Sequence, residues 1–314
     1  MSARSVEAGA PATDRPLAIS LLLGASGWVA GVFLLLFVAM LFRPEHAPQA
    51  ALCGGVLLAA AWGLFKVDGD GAQVFVAQLA LALSIAGQCL MLFAMSEHAR
   101  GIAPVASAAL LLQTVLALVM PNRLHRTLST LFALIAWALT VRFALLGEPD
   151  PWRSHDGATA PASVPLALVG WLAAWGPVAA GLVWLIRSEA AWAARGWQPV
   201  LRPVGTGLIV GLAFATLVSQ PFESWRWFGA GDPDIGGFAL WPLLSAAGAL
   251  VATAAAFALR RRGLMAVGVV GALLHVAHFY YALGTSLLIK SLLMAVMGAV
   301  LLLAARHLGS KENA

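Results

Sequence analysis

Charge is what this chain has least of. Of its 314 residues only 11% are Asp, Glu, Lys or Arg, while 61% are hydrophobic and the mean hydropathy is +0.87. Soluble globular domains carry roughly a quarter charged residues, so this composition excludes an ordinary soluble domain and implies a multi-pass membrane protein. Cysteine is nearly absent too. Cys53 and Cys89 are the two present, each in an apolar segment and without a CxxC partner, which argues against a disulfide framework or a zinc knuckle. Both read as small buried hydrophobes. The chain also lacks GxSxG, a Walker loop, a glycine fingerprint after a strand, and paired carboxylates inside an apolar segment, so no familiar catalytic or cofactor motif is present. The net charge of +5 has no basic cluster interleaved with aromatics on a soluble element, and nucleic acid is not an expected partner.

What the chain has in abundance is apolar length. A bilayer core needs about 20 apolar residues in a helix, and ten segments qualify: 17–42, 47–65, 72–94, 102–120, 127–146, 164–186, 204–220, 239–259, 264–283 and 285–305. The expectation is an all-α polytopic protein. Residues 1–16, polar and rich in Ala and Pro, read as a disordered tail, 17–305 as the transmembrane domain, and 306–314 as a short carboxy-terminal tail. The run from Leu17 to Phe42 is too long for a signal-peptide core. Gly27-Trp-Val-Ala-Gly31 and Gly207-Leu-Ile-Val-Gly211 carry the GxxxG spacing that lets helices approach closely in lipid.

Basic residues give the orientation, because cytoplasmic loops hold the excess of Lys and Arg. With ten spans, thirteen fall on the side of the amino terminus, among them Lys66, Arg126, Arg195 and Arg261, and four (Arg43, Arg100, Arg153, Arg226) on the other. Both termini are therefore expected in the cytoplasm. A miscounted span would exchange the sides of every later loop and blur this asymmetry. The connector from Arg187 to Pro203, rich in Trp and Arg, suggests a short helix lying at the interface.

Polar residues within apolar segments are the candidate site, since ionisable groups at that depth are costly. His275 and His278 are three apart on one helix face, a spacing compatible with two metal ligands or with hydrogen bonds between helices. No HExxH or neighbouring carboxylate completes a metal site. His278 lies six positions before Gly284, and Lys290 six positions after it. In an antiparallel hairpin both then lie about 9 Å below its turn. They could face one another, or Lys290 could snorkel to the headgroups while Tyr280 and Tyr281 join an aromatic belt. Gln88, Arg142, Gln220 and Glu223 fall in the same outer half. Glu223 is a potential counter-charge, and Pro221 ends or unwinds its helix. Asp68 and Asp70 in KVDGDGAQ lack the EF-hand ligand pattern.

The segments FVAQLALALSIAGQCLMLF, residues 75–93, and HFYYALGTSLLIKSLLMAVMGAVLLL, residues 278–303, resemble an uncharacterised family of bacterial multi-pass membrane proteins, domain of unknown function 4401. The resemblance is strongest at Gln78, Gly87, Gln88, Tyr280, Tyr281, Lys290 and Ser291. It implies the bacterial cytoplasmic membrane and a small envelope membrane protein as a partner, and it brings no established ligand or catalytic residue. The leading expectation is a non-enzymatic binding or assembly component with a polar pocket in the periplasmic half. A secondary transporter with Lys290 and His278 in the substrate or proton path is the alternative, and an intramembrane enzyme on a lipid-linked substrate is the third. Reporter fusions at Asp156 and Arg195 are expected to mark opposite sides of the membrane; the same side for both would remove the ten-span arrangement.

Overall fold

The structure is a computed structural model that describes residues 17–42, 46–67, 73–99, 101–146, 164–218, 241–282 and 287–312. Among these residues there are ten helices and no strand: α1 (Leu17–Phe42), α2 (Ala47–Leu64), α3 (Gln73–Ser96), α4 (Ile102–Val119), α5 (Arg123–Leu146), α6 (Val164–Ala194), α7 (Gln198–Val218), α8 (Trp241–Ala258), α9 (Arg262–Ala282) and α10 (Leu287–Glu312). Seven of them, α1 to α6 and α9, are long and apolar enough to cross a membrane; α8 and α10 carry shorter apolar stretches, Leu244–Ala258 and Leu287–Val296. The chain is thus all-α with the apolar helices of a multi-pass membrane protein. It divides into two compact units, residues 1–100 with 120–125, and residues 101–119 with 126–314.

The first unit is organised by one helix pair. The buried residues of α2 are Ala47, Ala50, Gly54, Leu57 and Ala61, alternating steps of three and four that give the 3.5-residue period of a helix seam. On α3 the matching positions are Ala80, Leu83, Gly87 and Ala94. Ala47 meets Ala94 at one end, and Leu57 and Ala61 meet Leu83 and Ala86 further along, so the two helices run antiparallel. Midway, a Cβ on Gly54 would lie 2.8 Å from the Gly87 carbonyl oxygen, and one on Gly87 equally close to that of Gly54. Only glycine fits this crossing. Helix α1 lies along α3 in the same direction, with Gly27 against Phe75 and Gln78 and Gly31 against Ala82. The Trp28 indole donates to Gln78 Oε1 at 3.0 Å.

The start of α2 is closed from the far end of α3. His46 precedes the helix without a side-chain cap, and instead the Ala47 N–H donates to Glu97 Oε2 at 2.6 Å. A carboxylate there satisfies an orphan donor and complements the positive end of the helix dipole. Cys89 is exposed and Cys53 half-buried, which corrects the reading of both as buried. Cys53 adjoins seam residue Gly54 and Cys89 lies two past Gly87, so the seam that buries the glycines turns their neighbours outward.

The second unit has its core among α5, α6, α7 and α8, around Leu134, Trp175, Leu182, Ile209, Leu212 and Ala252. The second GxxxG packs Gly207 on Thr130 and Gly211 on Leu134, so α7 runs parallel to α5. Gly268 of α9 receives Thr253 of α8, and Gly271 lies against the Ala213 carbonyl of α7.

The corner between α6 and α7 departs from expectation. No separate interfacial helix forms, because α6 continues to Ala194. It ends at Gly196 (φ +82°), where Gly196 N–H bonds to Ala193 O at 3.0 Å and Trp197 N–H to Trp192 O at 3.1 Å. These two bonds form a Schellman motif, in which glycine takes the left-handed position at no steric cost. In α7, Pro203 has no N–H to offer the Pro199 carbonyl one turn earlier. Arg126 Nη1 donates to that carbonyl at 2.8 Å.

At the α8–α9 corner, Arg261 Nη1 donates to Arg202 O at 3.1 Å and Thr206 Oγ1 at 3.2 Å, and its Nη2 lies 3.5 Å from Glu189 Oε1. One guanidinium thereby ties this corner to both α6 and α7. Helix α10 runs through Glu312, carrying helix across the segment read as a tail.

Gly54→Ala is expected to destabilise the protein by about 1–3 kcal/mol through overpacking. Gly55→Ala, where an added Cβ meets nothing within 4 Å, should stabilise by about 0.5–1 kcal/mol through helix propensity. Unfolding of the two variants in detergent checks this, and equal shifts would refute the seam.

Candidate functional site

A buried polar cluster lies in the first unit. Ser84 and Gln88 are one turn apart on α3 and project to the same face, and His125 comes from the first turn of α5. That turn is fixed by Asn122, whose Oδ1 accepts the His125 N–H at 3.0 Å, the bond of an N-cap. The His125 Nε2 lies 2.6 Å from Ser84 Oγ. Gln88 Nε2 donates to Ser84 Oγ at 3.1 Å and lies 3.3 Å from His125 Nε2. Phe65 packs edge-on to the imidazole, with ring centroids 5.7 Å apart. Ser84, His125 and Gln88 are 0%, 1% and 5% exposed.

Donors and acceptors balance when the Gln88 amide donates to Ser84, the Ser84 hydroxyl donates to His125 Nε2, and the ring proton sits on Nδ1. A hydroxyl beside an imidazole is also how a serine nucleophile is activated. Two features oppose that role here. The Gln88 amide occupies a lone pair of Ser84 Oγ, and no surface of Ser84 is open to a substrate. The arrangement is a hydrogen-bonded joint between α3 and the start of α5.

The residues expected from the last hairpin lie in the second unit. His275 is wholly buried, and its Nε2 is 3.0 Å from the Ala213 carbonyl oxygen of α7. Gly271, one turn earlier, meets the same carbonyl: the glycine admits it and the imidazole bonds it. His278 and Tyr280 are half-buried. The Lys290 ammonium lies 5.1 Å from the Tyr280 ring centroid, within cation–π range, which joins α10 to α9. Arg142 Cζ is 5.8 Å from the ring of neighbouring Phe143. Tyr281 continues α9. Gln220 and Glu223, with Pro221, lie outside the described residues. Gln88 belongs to the first unit and Lys290 to the second.

Among the described residues no group of three His, Cys, Asp or Glu could hold a metal ion. Sequence reasoning singled out Gln88 but not Ser84 or His125. Ser84 was available from the i, i+4 rule applied to Gln88, whereas His125, set among arginines in NRLHRTL, reads as a connector residue until α5 is seen to begin at Arg123.

The model of a protein family described as a domain of unknown function, DUF4401, matches residues 16–228 and 235–311. No curated protein and no solved structure matches the chain.

Removing one member of the buried cluster strands the others. Ser84→Ala and His125→Ala are each expected to cost about 1–3 kcal/mol, with a coupling on the order of 1 kcal/mol in the double-mutant cycle. Unfolding in detergent measures both, and strictly additive losses would mean that the joint does not exist.

Proposed function

The chain belongs to the DUF4401 family, and from that membership and the helix geometry we propose a non-enzymatic binding or assembly component of the bacterial inner membrane. In this reading all ten helices span, with both termini cytoplasmic. Two independent patterns support it: the excess of Lys and Arg on the amino-terminal side, and the directions of packed helices. Pairs of odd-numbered helices run parallel (α1 with α3, α5 with α7, α7 with α9), while α2 and α3 run antiparallel, as an up-and-down thread requires.

The observation that carries the binding role is how the buried polar groups are used. Ser84, Gln88, His125 and His275, the groups best suited to chemistry, bond to one another or to helix backbone. That use suits a scaffold. The exception is Lys290, half-buried in an apolar helix with its ammonium over Tyr280. In the ten-span reading it lies in the periplasmic half, where Tyr280 and Lys290, with His278 and Arg142, form the polar pocket for a small envelope membrane protein.

The same lysine favours transport as the second reading, with Lys290 and His278 contacting a small solute or a proton. Purification from native membranes is expected to recover a small membrane protein in fixed ratio, and Lys290→Met to weaken that complex. Proton-driven solute uptake in proteoliposomes, abolished by Lys290→Ala, would replace assembly with transport.

A further inference from the structure

One end of the second unit concentrates positive charge. Along 187–202 and 260–262 there are six arginines (Arg187, Arg195, Arg202, Arg260, Arg261, Arg262) and a single acid, Glu189. Arg261 takes Glu189 as its partner, and the other five arginines are exposed. The bonds from Arg261 to Glu189, Arg202 and Thr206 hold the α6, α7 and α8–α9 segments at one level.

That level is where apolar helix gives way to charge. Helix α6 passes from an apolar run to Arg187, α7 becomes apolar after Arg202, and α8 ends just before Arg260. Trp184, Trp192 and Trp197 form successive edge-on pairs at 5.9 Å beside it, with Arg195 Cζ 5.4 Å from the Trp192 ring. Trp184 and Trp197 are 54% and 48% exposed. Amphipathic indoles beside guanidinium groups mark the depth of lipid headgroups.

A second observation is independent of charge. Arg260 has φ +53°, at the helix-ending position where glycine is the unstrained choice. Its N–H bonds to Phe257 O at 2.8 Å, and Arg261 N–H to Ala256 O at 2.9 Å. An arginine held there at a steric cost is a feature that packing does not explain. The turn sends Arg261 inward to Glu189 and leaves Arg260 and Arg262 exposed on either side of it.

We infer that this end of the second unit binds the headgroup phosphate of an anionic phospholipid, with Arg260 and Arg262 as principal ligands and the tryptophans seated among its acyl chains. Guanidinium forks pair with phosphate oxygens through charge-assisted bonds, and basic sites at this level select anionic lipids. The test uses the purified full chain in zwitterionic detergent, titrated with phosphatidylglycerol, phosphatidylcholine or inorganic phosphate while the unfolding midpoint is followed. Phosphatidylglycerol is expected to raise the midpoint saturably and phosphatidylcholine to leave it unchanged. Each of Arg260→Gln and Arg262→Gln should weaken the apparent lipid affinity about fivefold. Arg260→Gly separates strain from binding: it should raise the lipid-free midpoint and still weaken the lipid response. An equal response to phosphatidylcholine, a full response to inorganic phosphate alone, or undiminished affinity in an Arg260→Gly, Arg262→Gln double variant would overturn the site.

Discussion

Lipid tails are as apolar as leucine, so the hydrophobic effect that collapses a soluble protein gives membrane helices little reason to touch. What remains is close backbone approach, and the helix pairs of this protein depend on it. Gly54 and Gly87 each lie where an added Cβ would strike the other's carbonyl, and Gly27, Gly207 and Gly271 stand in the same relation to Phe75, Thr127 and Ala213. Dispersion contacts are individually tiny and fall away quickly with distance. Small residues at a 3.5-residue period bring many into range at once.

Close approach creates a second requirement, because carbonyls and N–H groups brought together in an apolar setting need partners. The chain meets it locally. Gly271 exposes the Ala213 carbonyl and His275 bonds it; Pro203 withholds an N–H from the Pro199 carbonyl and Arg126 supplies one. His275 and Arg126 thus act as staples between helices.

Much of this was legible in the sequence, and the limits follow from physics. Hydropathy located every helix among the described residues, and both GxxxG spacings lie at helix contacts, because apolar length and small-residue period are local properties. It misjudged the end of α6, since RSEAAWAA is polar enough to close an apolar run yet a good helix former, and the true stop is the left-handed Gly196. The outward turn of Cys89 was illegible because a helix that is apolar all round does not say which face is inner. The partnership of Gln88 with His125 joins residues 37 apart. No period in the sequence encodes such a pairing.

The bond from Ala47 N–H to Glu97 bears on how the protein is made. The two residues are 50 apart in sequence, and α2 together with α3 lies between them. While α2 leaves the ribosome, the carboxylate that closes its first turn does not yet exist in the chain, and Gly54 has no Gly87 to meet. The two helices complete each other only after the second has emerged and folded back. The hairpin, rather than the single helix, is the smallest piece of this unit able to rest in the bilayer with its first turn capped and its seam filled.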